Sequence, residues 1–286
     1  MHTVGVNTWV WTSPLDDAKV VQLAATAAEA GFDVLELPVE NPGDWDPAVA
    51  AEVLRGHGLG ASVCLVMPPG RELVRTSPET AAATQDYLRH VVDVAAQVGS
   101  PVIAGPAYAS VGRTWRMSPG ERRSCYEELR DALGPVVEHA RAAGVMVALE
   151  PLNRYETSLL NTVAQTLEAI EGLPADGCGI ALDVYHQNIE ERDIASAVRS
   201  ARGRIAHVQV CGNDRGAPGA DHIDWEALLG ALADAQYSGP LCIESFTAEN
   251  ASIATAASIW RPLASSPDAL AAEGLAFLRG VIAARG

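Results

Sequence analysis

The chain has no run of basic residues. It carries 20 Lys+Arg against 36 Asp+Glu, a net charge of −16 over 286 residues. A nucleic-acid partner needs a basic footprint to offset its phosphates, and an anionic membrane surface makes the same demand, so neither is expected as a partner. No apolar run reaches the ~18 residues that a membrane-spanning helix needs. The opening MHTVGVNTWVWTSPLDD lacks the basic-then-apolar order of a secretory signal. There is no CxxC, and the five cysteines, Cys64, Cys125, Cys178, Cys211 and Cys242, are widely spaced. A disulfide framework is therefore excluded, and a reduced, cytoplasmic chain with thiols used as small apolar residues is expected. GxGxxG and Walker A loops are missing, as are linkers and low-complexity stretches.

What is present fits a globular protein: 48% hydrophobic residues, 25 Gly and 17 Pro. At ~150 residues per domain the length suggests two domains, but α/β barrels of about 250 residues fold as one. The pattern decides between these. Short apolar runs are expected as strands at Thr3–Val10, Asp33–Val39, Ala61–Val66, Pro101–Ala104, Val145–Glu150, Gly179–Asp183, Ile205–Val210 and Leu241–Glu244. Amphipathic stretches between and after them predict helices near Leu15–Ala30, Pro47–His57, Pro78–Val98, Pro119–Ala143, Thr162–Glu171, Glu190–Arg202, Trp225–Ala235 and Pro267–Ala284. Strands buried on both faces read as continuous apolar runs, and strict alternation with helices implies a parallel sheet. Eight such units predict a single (β/α)8 TIM barrel domain over residues 1–286.

The position of the acids is the informative feature. In such a barrel, chemistry sits at the C-terminal ends of the strands. Glu150, Asp183 and Glu244 end the fifth, sixth and eighth strands, and Gln209 lies near the end of the seventh. An acid after an apolar run is costly to bury, and three converging carboxylates repel one another without a cation. Glu150, Asp183, Gln209 and Glu244 are therefore candidate ligands of a divalent metal. Three carboxylates and an amide oxygen are hard donors that suit Mn²⁺ or Mg²⁺ better than Zn²⁺. Any one acid taken alone reads equally well as a helix N-cap. Asn153, Arg154 and Glu156 follow Glu150, His186 follows Asp183 on what reads as a loop, and Arg215 sits in the Gly-rich GNDRGAPG. His57, His90 and His139 read as ordinary helix residues. His207 shares strand parity with Gln209 and lies deeper, either as a core residue or as support for the ligand. Trp9, Trp11, Trp115 and Phe246 fall where they would wall a pocket or pack a core.

Four segments, GVNTWVWTSPL, ALEPLNRYETSLLNT, ALDVYHQNIEE and IESF, carry a resemblance that runs in order through nearly the whole chain. The sequence resembles the ketose 3-epimerases, the D-tagatose, D-allulose and L-ribulose enzymes of the xylose-isomerase-like barrel superfamily. That resemblance implies a Mn²⁺-type ion, with Mg²⁺ or Co²⁺ as alternatives, held by Glu150, Asp183, Gln209 and Glu244. It implies that Glu150 and Glu244 are the catalytic acid/base pair. It also implies that Glu156, His186 and Arg215 contact the sugar near C1–C2, that Cys64, Trp115 and Phe246 line the pocket, and that the protein is a homodimer or homotetramer. The strand-four to helix-four region and SIWRPLASSPDAL are the surfaces expected to meet a second copy. One departure stands out. The family usually has HxH on strand seven, whereas this chain has His207-Val208-Gln209. A neutral amide oxygen is a weaker donor than imidazole, so lower metal affinity follows.

The expected activity is epimerisation of a free ketose at C3, by removal of the proton next to the C2 carbonyl and its return on the other face through an enediolate. The same site chemistry also suits a lyase, such as an inosose dehydratase or a 3-keto-glycoside-cleaving enzyme, or an aldose–ketose isomerase.

Overall fold

A computed structural model describes residues 2–285. Its strands are β1 (Val4–Asn7), β2 (Val34–Val39), β3 (Gly60–Leu65), β4 (Val102–Gly105), β5 (Met146–Leu149), β6 (Cys178–Asp183), β7 (Ile205–Val210) and β8 (Leu241–Ile243). Its helices are α1 (Asp17–Ala30), α2 (Pro47–His57), α3 (Pro78–Val98), α4 (Pro119–Ala143), α5 (Val163–Ala169), α6 (Val184–Glu190), α7 (Ile194–Ser200), α8 (Trp225–Asp234), α9 (Ala251–Ala256) and α10 (Pro267–Ala283). The strands form a closed ring in chain order. Every neighbouring pair is parallel, including β1 with β8. The chain is a (β/α)8 barrel, and among the described residues no helix is long and apolar enough to cross a membrane.

Local chemistry starts and stops the helices. Asp16, Asp46, Ser77 and Ser118 cap α1 to α4, each accepting a backbone N–H of the first turn. Pro follows the cap in α2, α3 and α4, where its missing N–H costs nothing. Two departures from the sequence reading follow the same rules. The helix expected over Glu190–Arg202 starts later, as α7, because Glu191 is extended and Asp193 caps the start, and α6 before it is a separate helix that was not expected. The short α9, capped by Asn250, was not expected at all. At six residues it is too short to show a helical period.

Alternate residues of a strand face opposite sides. Outward positions such as Leu35, Leu37, Val147, Leu149, Ile180 and Leu182 are buried in the hydrophobic core. Each contributes about 1.5–3 kcal/mol by leaving water. The other parity lines the barrel. Its apolar members are small on β4 to β6, where Val102, Ala104, Ala148 and Ala181 form a separate cluster. Its polar members are Asn7, Glu36, Ser62, Asp183, His207 and Gln209, all essentially buried. Small side chains and polar rungs on the inner face leave room for a cavity above them.

Gly105 ends β4 with φ 145°, and a Cβ there would collide with the carbonyl oxygen of Leu65 on β3. Only glycine meets both demands. Gly105→Ala is expected to destabilise the barrel by about 2–4 kcal/mol. The measurement is the urea midpoint at unchanged m-value, and an unshifted midpoint would refute the account.

Candidate active site

A cavity of about 380 Å³ opens at the C-terminal mouth of the barrel. Glu150, Gln209 and Glu244 line it from the strand ends, and Glu156, His186 and Arg215 line it from the loops and α6. Cys64 and Phe246 are in the wall. Asp183 stands behind this lining, fully buried, and reaches the cavity through Arg215 and His186.

The acids meet around one guanidinium. Arg215 Nη1 lies 2.5 Å from Asp183 Oδ2 and 2.9 Å from Glu244 Oε2. The side chain is sandwiched, 4.0 Å from the Tyr185 ring and 5.2 Å from that of Phe246. Its backbone takes a positive φ of 70° in the turn after β7. Such strain in a non-glycine residue persists only where the surroundings hold it. Here Ser245 Oγ donates to the Arg215 carbonyl. Burial pushes the carboxyl of Glu150 well up from 4.5, and Glu244 and Asp183 beside it add to the rise. Burial also pushes Glu244 up, while Arg215 pulls it back in part. Both carboxyls hold their protons far more readily than exposed ones do.

His186 has a fixed orientation. The backbone N–H of Asn153 donates to its Nδ1 at 3.0 Å. Nδ1 therefore holds the lone pair, and in the neutral ring Nε2 carries the hydrogen. Burial lowers the pKa of the imidazole against the pull of Asp183, so the neutral ring is favoured. Nε2 lies 3.5 Å from both Glu150 Oε1 and Asp183 Oδ2, and 3.1 Å from Arg215 Nη2. Arg215 and His186 thus meet at one corner of the cavity, both able to face a substrate oxygen there. Asn153 Nδ2 also donates to Glu156 Oε1 at 2.7 Å, tying the EPLNRYE loop to the same wall.

Gln209 is held by its amide nitrogen. Nε2 donates to Glu36 Oε1 at 2.9 Å and to Glu244 Oε1 at 2.7 Å. Two carboxylate oxygens on that side force the NH₂ group toward them. Oε1 is left buried without a partner, at a cost of about 1–3 kcal/mol unless something positive meets it. Glu36 also accepts from Asn7 Nδ2 at 2.9 Å and Ser62 Oγ at 3.0 Å, and lies 2.5 Å from His207 Nε2. That His207 contact lies off the line of a directed hydrogen bond. Burial alone would raise the pKa of Glu36, but His207 and these bonds outweigh it and hold the group ionised.

The residues fit a divalent cation. The orphaned Gln209 oxygen is the observation that carries the fit. Donor atoms of Glu150, Asp183 and His186 also lie within 4.8 Å of one another. Because His186 Nε2 carries its hydrogen, the ring acts as a hydrogen-bond donor, and the oxygens supply the donor set. A second group, Glu36, His207 and Cys242, is equally close. There the carboxylate is already committed to Asn7, Ser62, Gln209 and His207.

Two expectations need correction. Trp115 does not line the cavity. Its loop is stapled by Arg113, which binds Glu72 Oε2 and the Val74 carbonyl at 2.7 Å each, and the ring packs on the core 4.8 Å from that guanidinium. His186 lies on the first turn of α6 and not on a loop, because Asp183 caps that helix by accepting the N–H of Tyr185. For Asp183 the cap and the site coincide, since Oδ1 caps and Oδ2 faces Arg215. Glu36 and Glu40 were missed, though an acid inside the apolar LELPVE was the same signal that marked Glu150.

Residues 24–281 match the family model described as xylose isomerase-like TIM barrel. The chain is 32% identical to the L-ribulose 3-epimerase of Mesorhizobium japonicum over 97% of its own length and 93% of that protein's. It is 31% identical to the ketose 3-epimerase of Arthrobacter globiformis, covering 98% and 97% of the two chains. A solved structure of an L-ribulose 3-epimerase superposes with a TM-score of 0.90 at 31% identity, covering 100% of this chain and 96% of the other. The chain belongs to the xylose isomerase-like TIM barrel family and, within it, to the ketose 3-epimerases.

The raised carboxyls give a pH signature. A carboxyl with a higher pKa folded than unfolded binds more protons in the folded state. Stability therefore falls as pH rises from 4.5 toward the folded value of Glu150, by up to about 1.4 kcal/mol per pH unit for each such group. In chelator-treated protein, the thermal midpoint of Glu150→Gln minus that of wild type is expected to grow as pH rises above 4.5. A difference that stays flat or shrinks would refute the assignment.

Proposed function

We infer that the protein is a metal-dependent isomerase that epimerises free ketoses at C3. The observation that carries this is the pair Glu150 and Glu244. Both face one cavity from β5 and β8, both have carboxyls pushed well up by burial, and Arg215 and His186 meet in the wall of the same cavity.

The ketose would lie with its C2 carbonyl oxygen toward His186 Nε2–H and Arg215, which hold that oxygen and stabilise the charge that develops on it. One of the two glutamates, as carboxylate, takes the C3 proton. The C–H electron pair passes into the C2–C3 bond, giving an enediolate. The other glutamate, as carboxylic acid, delivers a proton to the opposite face of C3, and the carbonyl reforms. No net proton is consumed. The strands sit on different sides of the mouth, which supports attack from two faces. The raised pKa values support having one group protonated and one ionised at the same time. A bound divalent cation, Mn²⁺ by the hardness of Glu150, Asp183, Gln209 and Glu244, supplies Lewis-acid polarisation of the substrate oxygens. Gln209 brings its oxygen, with its nitrogen anchored by Glu36. Glu156 is placed to take a hydroxyl of the sugar, and Cys64 and Phe246 enclose it.

Five free, buried cysteines support a reduced, cytoplasmic setting. Trp260, 75% exposed in the segment read from sequence as a docking surface, supports assembly into a dimer or tetramer.

The test is proton NMR in D₂O with Mn²⁺-loaded protein and D-fructose, D-tagatose or L-ribulose. Deuterium at C3 with appearance of the C3 epimer is expected. Glu150→Gln and Glu244→Gln are each expected to cut turnover by about 10²–10⁴-fold, and chelation of the metal to abolish it. Near-wild-type turnover in either variant would overturn the mechanism. Loss of water or of an aglycone in place of C3 exchange would establish the lyase chemistry instead.

A further inference from the structure

The cavity has a second polar end that this chemistry does not use. Glu40 follows β2 directly, and β2 lies across the ring from β6, away from the acids of β5 to β8. Its side chain lines the cavity together with that of Ser13. The carboxylate is anchored on one oxygen only. Oε1 accepts Trp9 Nε1–H at 3.0 Å and Ser13 Oγ–H at 2.6 Å, and neither bond falls on Oε2. The Glu40 carbonyl is held in turn by Arg71 Nη1 at 2.7 Å.

The charges around this end are one-sided. Glu40, Glu150, Glu156 and Glu244 all line the cavity, and Arg215 is the one Lys or Arg among the described lining residues. Arg215 is already bridged to Asp183 and Glu244. Arg71, the cation nearest Glu40 in these contacts, is spent on the Glu40 carbonyl, on Asn41 Oδ1 and on the Tyr87 ring 3.7 Å away. In the turn after β7, where barrels commonly offer backbone N–H groups to a phosphate, three amides are already occupied. Gly212 N donates to the Gly216 carbonyl, Arg215 N to the Gly212 carbonyl, and Gly216 N to Asp214 Oδ1.

An anchored carboxylate accepts hydroxyl hydrogens strongly and repels a phosphate dianion. We propose that Glu40 is a specificity-determining residue: it receives a hydroxyl from the end of the ketose remote from the reacting C2–C3 pair, and it excludes ketoses phosphorylated at that end. This rests on the ketose reading of the cavity given above.

The test compares binding and exchange in Mn²⁺-loaded wild type and Glu40→Gln, with D-fructose and D-fructose 6-phosphate as probes. Glutamine keeps an acceptor oxygen for Trp9 and Ser13, so the wall stays built while the charge is lost. Isothermal titration calorimetry reports binding of each probe, and C3 deuterium exchange reports the chemistry separately. Wild type is expected to bind D-fructose at least about tenfold more tightly than its 6-phosphate, and Glu40→Gln to shrink that ratio by about tenfold, the scale of one like-charge repulsion in a partly dry site. A ratio unchanged in Glu40→Gln, or a wild type that binds the phosphate as tightly as the free sugar, would overturn the proposal. A changed ratio without C3 exchange in either protein would support the role of Glu40 and count against the epimerase reading.

Discussion

Mutual repulsion of buried carboxylates is the constraint on which the rest of this mouth depends. β5, β6 and β8 deliver Glu150, Asp183 and Glu244 to one space, each of them buried. Like charges so placed cannot all ionise unless a cation lies among them. Arg215 meets that need for Asp183 and Glu244, and it does so from a strained backbone held by Ser245 and flanked by Tyr185 and Phe246. Glu150, which has no such direct partner, is left with its carboxyl pushed upward. The same repulsion that makes the site costly also raises the proton affinity of Glu150.

Beneath the mouth a second polar layer decides how Gln209 presents itself. Glu36 on β2 reaches across the barrel to the amide nitrogen, so the amide oxygen is the atom left over. Asn7, Ser62 and His207 hold Glu36 ionised and in place. A glutamine in place of histidine is thus integrated on this chain: its orientation is fixed by a carboxylate from the far wall. The two ends of the cavity then differ in kind. One end gathers Arg215, His186 and the buried acids, and the other holds Glu40, anchored through one oxygen by Trp9 and Ser13.

Much of the barrel was legible in the sequence because its strands are buried on both sides and its helices begin and end with strong local signals. Pro47–His57, Pro78–Val98 and Pro119–Ala143 have the expected bounds, each opened by a capped proline turn and closed before a glycine. Elements with weak local signals were misjudged. α6 is capped by a residue that also belongs to the site, and α9 is only six residues, too short to give a period. The candidate acids were legible for a simple reason: a charge at the end of an apolar run is expensive, so it is seldom there by default. Glu36 and Glu40 carried that mark too, within a run that otherwise reads as plain strand.

By itself the sequence determined the alternation of strand and helix, the parity that sends Glu150, Asp183, Gln209 and Glu244 to one mouth, and the resemblance to the ketose 3-epimerases. These are periodic or local properties, set by neighbours a few residues apart. Only the tertiary structure decided which groups meet across the ring. It turned Trp115 away from the cavity, set Arg215 between Asp183 and Glu244, joined Gln209 to Glu36 from the opposite side, and put Glu40 in the cavity wall. Those pairings join residues up to 173 positions apart, and closure of the barrel brings them within reach of one another. No local rule of spacing encodes such contacts, because they depend on strand order, register and tilt taken together.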